Sequence, residues 1–225
     1  GAGKGSLAIQ LCVAVASGTS LVDAWHTAAP EPVVYLSAED DALTIHRRVH
    51  HALEQLPEDL WEQAAANFYG IPVHGGVNLC RAVGGVVEAT ANYEDLRDIL
   101  DTIRPRLLVL DTLARFSGVD ENDNPAMTAF CGLLEGLIDA YGCNIILLHH
   151  SNKTSGDLIE DPKELAKALT QTAMRGASAL AGCIRWGMLV APLGAALAQK
   201  RIGEPATGKY DGAFLAVRVG KKNSG

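Results

Sequence analysis

The stretch Arg106-Leu107-Leu108-Val109-Leu110-Asp111 decides the fold of this chain. An unbroken apolar run, preceded by the helix-breaking Pro105 and closed by a carboxylate, predicts a strand buried on both faces, as inner strands of a parallel sheet are. The segments on either side agree. Upstream, a helix opens at Asn92 or Tyr93 and runs to about Ile103 with apolar residues at helical spacing (YEDLRDILDTI). Downstream, a helix from Asn124 or Pro125 to near Gly142 leads into a second apolar run, Cys143 to His150 (CNIILLHH). Nearer the start, Pro32 to Ser37 (PVVYLS) predicts another central strand. An amphipathic helix over Asp40 to Leu56 follows it, with Asp40 or Asp41 as N-cap, and Asn67 to Val73 reads as a further strand. Strands alternating with helices of this length predict an α/β fold: a doubly wound, mostly parallel central sheet with helices on both faces.

The rest of the chain is placed around that sheet. Ser6 to Ser17 is apolar and unbroken, and predicts a buried helix. Residues 151–173 are polar and lack a strand pattern, so a long loop with a helical piece is expected. Residues 178–190 and 213–219 read as late strands, joined through the turn-rich Gly203 to Gly212. No internal repeat is visible, and residues 1–225 are expected to form a single domain.

Bulk composition narrows the function. With 48% hydrophobic and 20% charged residues, 225 residues can build a sizeable core, which excludes a disordered chain. A net charge of −7 argues against a stand-alone nucleic-acid binder, though not against a ring whose central loops carry the useful cations. Five scattered cysteines (Cys12, Cys80, Cys131, Cys143, Cys183) show no CxxC spacing. They read as reduced core residues of a cytoplasmic protein, with no zinc site. Ala177 to Ala198 is interrupted by Arg185 and Pro192, so a buried strand and turn is expected there rather than a membrane span.

Gly1-Ala2-Gly3-Lys4-Gly5-Ser6 leads straight into the first helix. Glycines let backbone N–H groups wrap a phosphate, a lysine neutralises its oxygens, and a helix N-terminus faces the anion. Read as the phosphate loop GxxxxGK[ST], the pattern puts its opening glycine and preceding strand before residue 1. Gly5 then occupies the usual Ser/Thr place, and Ser6 supplies the hydroxyl for Mg²⁺. The same six residues also fit a glycine-rich lead into an ordinary helix. Two strand ends tip the balance. Asp111 falls where a carboxylate can hold a Mg²⁺-bound water, and Glu39, after VVYLSA, falls where a base can polarise the attacking water. The alternatives are a strand-terminal cap for Asp111 and a solvated helix cap for Glu39, Asp40 and Asp41. His149 and His150 close the IILL run, where either could contact a γ-phosphate or serve as a structural histidine; His150, nearer the following loop, is the preferred one.

Taken together, GAGKGSLAIQL, VVYLSAEDD, LLVLDTLARF, GCNIILLHHSNK and RGASALAGCIRW give the chain a family likeness. It resembles the RepA-type hexameric replicative helicases and the wider RecA-like P-loop ATPases, nearly end to end. That resemblance implies a RecA-like P-loop fold without its first strand, ATP and Mg²⁺ as cofactors, a homo-hexameric ring, single-stranded DNA as partner and no membrane. It implies that Lys4, Glu39, Asp111 and His150 surround ATP and that Arg185, in CIRW, acts across the subunit interface, with Arg175 the alternative for that role. It also implies a contact from Lys221 to the neighbouring nucleotide, although Ser224 replaces the family's tyrosine. The loop carrying Lys153, Lys163 and Lys167 corresponds to the segment that faces DNA; an exposed charged helix is the other reading of those lysines. Two further functions fit the residues less fully: a RecA-like recombination or regulatory ATPase without unwinding, and a nucleotide kinase suggested by GKGS. A P-loop relic that binds nothing is the last.

Overall fold

The computed structural model describes residues 3–22, 27–150, 158–169, 178–202 and 214–222. Residues 5–149 form one compact unit, and residues 1–4 with 150–225 form another.

The larger unit is built on four parallel strands in the order β2-β1-β5-β6. These are β1 (Val33–Ser37), β2 (Phe68–Pro72), β5 (Leu107–Asp111) and β6 (Asn144–Leu148). Every residue of β1 and β5 is buried, as their uninterrupted apolar runs require of inner strands. Their register aligns Val33 with Leu107 and Ser37 with Asp111. Helices flank the sheet: α1 (Lys4–Ser17), α2 (Ala42–Leu53), α3 (Trp61–Asn67), α4 (Ala91–Ile103), the single turn α5 (Leu113–Phe116) and α6 (Asn124–Tyr141). Helix α1 turns Ala8, Ile9, Cys12, Val13 and Ala16 into one core with Val33, Tyr35, Leu107 and Val109. Of the two candidate caps before α2, Asp41 is the one used: its Oδ1 accepts from Thr44 N at 2.7 Å. Helix α6 starts at Asp123, whose Oδ1 accepts from Ala126 N, and ends at Gly142.

A hairpin not anticipated from the sequence joins β3 (Cys80–Val83) to β4 (Val86–Ala89) through Gly84-Gly85. The signal was there, since two glycines between β-branched runs mark a tight turn.

In the smaller unit, α7 (Pro162–Ala168) is the helical piece expected within 151–173; it is capped by Asp161, whose Oδ1 accepts from Lys163 N at 2.6 Å. The strand expected over 178–190 is corrected: Ser178–Cys183 is a helix, α8, and the strand, β7, spans Trp186–Leu193. Alanine-rich SALAGC favours a helix, and a short apolar run does not by itself separate helix from strand. Helix α9 (Ala195–Ile202) follows. Strand β8 (Phe214–Lys222) pairs antiparallel with β7 in a sheet of two strands. Ile159, Leu165, Ala191, Leu193, Leu197 and Ala198 form the core of this unit. Residues 203–213, which include the whole of the expected turn-rich connection, lie outside the described residues. Among the described residues, no helix is long and apolar enough to cross a membrane.

Candidate active site

Parallel strands deliver their carboxyl ends to one edge of the sheet, and β1 and β5 do so side by side. Ser37 and Asp111 end the two strands in register, and Ala38 N donates to Asp111 O at 2.7 Å. Both side chains are buried. Beyond Ser37 the chain turns sharply, with Ser37 Oγ accepting from Asp40 N at 3.0 Å and Glu39 N at 3.4 Å. That turn holds the acidic run 39–41 beside the end of β5. Thr112, joined to Asp111 by a cis peptide, donates from Oγ1 to Glu39 Oε1 at 3.3 Å.

Asp111 is only 5% exposed, and its carboxylate is tied from the sheet side: Tyr35 Oη donates to Oδ2 at 2.5 Å. Burial raises the Asp111 carboxyl above the ordinary carboxylate value. The Tyr35 hydrogen bond opposes that rise, the charges of Glu39 and Asp40 add to it, and Arg48 opposes it. The Tyr35 phenol is itself pushed far up by burial and then by the neighbouring Asp111, so it stays a donor. Arg48, on α2, makes an ion pair with Asp40.

The glycine-rich segment meets this group through Gly5. A Cβ on Gly5 would lie 3.0 Å from Arg48 Nη1, 3.3 Å from Asp111 Oδ2 and 3.5 Å from Tyr35 Oη. Two residues earlier Gly3 has φ 74, a left-handed conformation, and a Cβ there would meet Leu215 Cδ1 at 2.8 Å. Lys4 is the first residue of α1, so it stands directly before Gly5 at the start of a fourteen-residue helix. Ser6 is exposed and, with Gln10, Arg47, Arg48, His51 and Ala52, lines a pocket of about 160 Å³.

Within residues 5–149 the structure therefore gathers Gly5, Glu39 and Asp111 at one sheet edge, with Ser6 next in the chain to Gly5. His149 follows β6 and sets Nδ1 3.9 Å from Glu121 Oε1. In the smaller unit His150 is exposed, and so is Arg185, between α8 and β7. Lys221 lies on β8 opposite Gly187. Lys163 and Lys167 are exposed on α7, one helical turn apart. Gly1, Lys153, Arg175 and Ser224 lie outside the described residues. Sequence reasoning passed over Tyr35, Arg48 and Thr112. Tyr35 had a signal, since a tyrosine in an otherwise aliphatic buried strand needs a partner for its hydroxyl.

The donors at this edge are oxygens: the carboxylates of Asp111 and Glu39, with Ser6 following Gly5 in the chain. Such a set suits Mg²⁺, which is held by one or two carboxylates together with nucleotide phosphates rather than by an all-protein cage. Among the described residues, no three His, Cys, Asp or Glu gather into such a cage.

Comparison with solved structures agrees with the fold. A KaiC-like protein of the hyperthermophilic archaeon Pyrococcus horikoshii OT3 superposes with a TM-score of 0.51 at 15% identity, covering 99% of this chain and 74% of that one. The model of the AAA domain family AAA_25 matches residues 1–156. That match takes in the glycine-rich segment, the whole parallel sheet and both acidic strand ends, and on it the chain belongs to the AAA_25 family of AAA domains, with an α/β fold of RecA-like type.

Proposed function

We propose that this chain is the ATP-hydrolysing core of a RecA-like motor, specifically a replicative DNA helicase of the RepA type. It works as a homo-hexameric ring on single-stranded DNA in the cytoplasm, with both compact units serving one ATPase domain.

The observation that carries this reading is the meeting of Gly5 with Asp111, and of Asp111 with the Glu39 turn, at the carboxyl edge of one parallel sheet. A phosphate wrapped by the backbone of Gly1, Gly3 and Gly5 and neutralised by Lys4 would present its γ end towards that edge. Ser6 and Asp111 would hold Mg²⁺, which would supply neutralisation of the charge on the phosphates. Glu39 is exposed, while Asp111 is buried and tied. The exposed carboxylate is therefore suited to accept a proton from an attacking water, and the tied one to orient the metal's water shell. His150 reads the γ-phosphate, Lys221 contacts the neighbouring nucleotide, and Arg185 acts across the subunit interface. Lys153, Lys163 and Lys167 meet the DNA backbone without base readout.

Phosphate release measured with and without single-stranded DNA, alongside light scattering for the assembly state, tests the reading. Hydrolysis stimulated by DNA in a hexamer is expected. Hydrolysis indifferent to DNA would point to a regulatory RecA-like ATPase, and phosphate transfer to a nucleoside monophosphate to a kinase. No nucleotide binding at all would end the proposal.

A further inference from the structure

Gly5 stands against Asp111 in the place where phosphate loops carry a Ser or Thr hydroxyl. Its Cβ position is 3.3 Å from Asp111 Oδ2, so a hydroxyl carried there would be within bonding reach of that oxygen. Another hydroxyl reaches the same atom from the sheet side. Tyr35 Oη donates to Asp111 Oδ2 at 2.5 Å and lies 3.5 Å from that same Cβ position. We infer that Tyr35 is a positioning residue of this site, supplying from β1 the hydroxyl that Gly5 omits and turning the Asp111 carboxylate so that Oδ1 faces the metal of the bound nucleotide.

The surroundings make this a built arrangement. Tyr35 is fully buried, and its ring stacks on Phe68 with centroids 6.5 Å apart, so the phenol is held in place. It shares a face of β1 with Ser37, whose register partner is Asp111; the side chain reaches diagonally across to the neighbouring strand. A Cβ at Gly5 would lie 3.0 Å from the end of the Arg48 side chain and 3.3 Å from Asp111 Oδ2, so a serine enters with a small shift of those side-chain ends, while Tyr35 Oη at 3.5 Å stays at ordinary contact.

The inference rests on the ATPase reading and deepens it. Its test uses the full chain, Tyr35→Phe, and the double variant Gly5→Ser/Tyr35→Phe. Mn²⁺ binding in the presence of a non-hydrolysable ATP analogue is followed by electron paramagnetic resonance, and the Mg²⁺ dependence of phosphate release is measured in parallel. Tyr35→Phe keeps the ring and removes only the hydroxyl. It is expected to weaken metal binding about 10-fold or more, the usual cost of losing a partner behind a metal ligand. Binding of the analogue in EDTA should stay as in the parent. In the double variant, the serine hydroxyl should restore most of the lost metal affinity. A merely structural role would lower the amount of active protein without moving the half-saturating metal concentration, and that result, or no recovery in the double variant, would overturn the inference. If the unmodified chain bound no metal with nucleotide, the ATPase reading would fall first and this inference with it.

Discussion

Asp111 is held in a compromise between folding and chemistry. Burial and the carboxylates of Glu39 and Asp40 raise its pKa, against the opposing Tyr35 hydrogen bond and Arg48 charge. A carboxyl whose folded value lies above its unfolded value binds its proton more tightly in the folded state. It therefore costs stability at pH values above the folded pKa, where it is ionised in both states. That cost fades as pH falls through the folded value towards the unfolded one. Asp111→Asn removes the charge and keeps an oxygen to accept from Tyr35. We expect its urea midpoint to exceed that of the parent at neutral pH, with the gap narrowing on acidification, while phosphate release is lost. An equal or lower midpoint at neutral pH would show that the carboxylate carries no such strain.

The elements around Asp111 are tied together by backbone more than by side chains. After β5 the chain passes through α5, and the hairpin of β3 and β4 is docked on the residues that follow: Leu79 N donates to Phe116 O at 2.7 Å, and Cys80 Sγ lies 2.6 Å from Ser117 O. Gly118 closes this joint with φ 68, and a Cβ there would lie only 2.0 Å from Cys80 O. A carbonyl in a strand cannot swing aside. Gly118→Ala is expected to cost about 1–3 kcal/mol from backbone conformation, with the overlap adding to it. The urea midpoint should fall accordingly; an unchanged midpoint would mean the joint is looser than its geometry. Helix α2 gives a milder case. The Asp41 carboxyl sits below its ordinary value because Thr44 donates to it, first from its side chain and then from its backbone N. The stability it lends is present above the unfolded value and is lost as pH falls through the depressed folded one. Asp41→Ala should therefore lower the midpoint at neutral pH and flatten the acid limb of the stability profile.

For the whole molecule, the motor reading asks for cooperation between subunits and a polymer substrate. An arginine provided in trans is worth about 10³–10⁵-fold in rate. Arg185→Ala is accordingly expected to suppress DNA-stimulated hydrolysis while light scattering still reports the ring. Retained hydrolysis in the assembled variant would remove Arg185 from the mechanism. Lys163 and Lys167 project from one side of α7. Their joint replacement by glutamate should reduce the salt dependence of binding to single-stranded DNA by about 1.4 in log–log slope, roughly 0.7 for each phosphate that is no longer neutralised. An unaltered slope would leave them as a solvated helix face.

Much of this could be read along the chain. The apolar runs that follow Pro32 and Pro105 mark β1 and β5 as strands, and the polar residues that close them place Ser37 and Asp111 at strand ends with Glu39 just beyond, because these are local properties of the chain. The neighbour of each strand is not a local property. Tyr35 and Asp111 meet across 76 residues because β1 lies directly beside β5, an order set by how all four strands and their helices pack together. Arg48 and Gly5 are joined to the group in the same way. The SALAGC helix escaped for a related reason: short apolar segments suit either conformation, and only the partner against which each can bury itself selects one, as β8 does for β7.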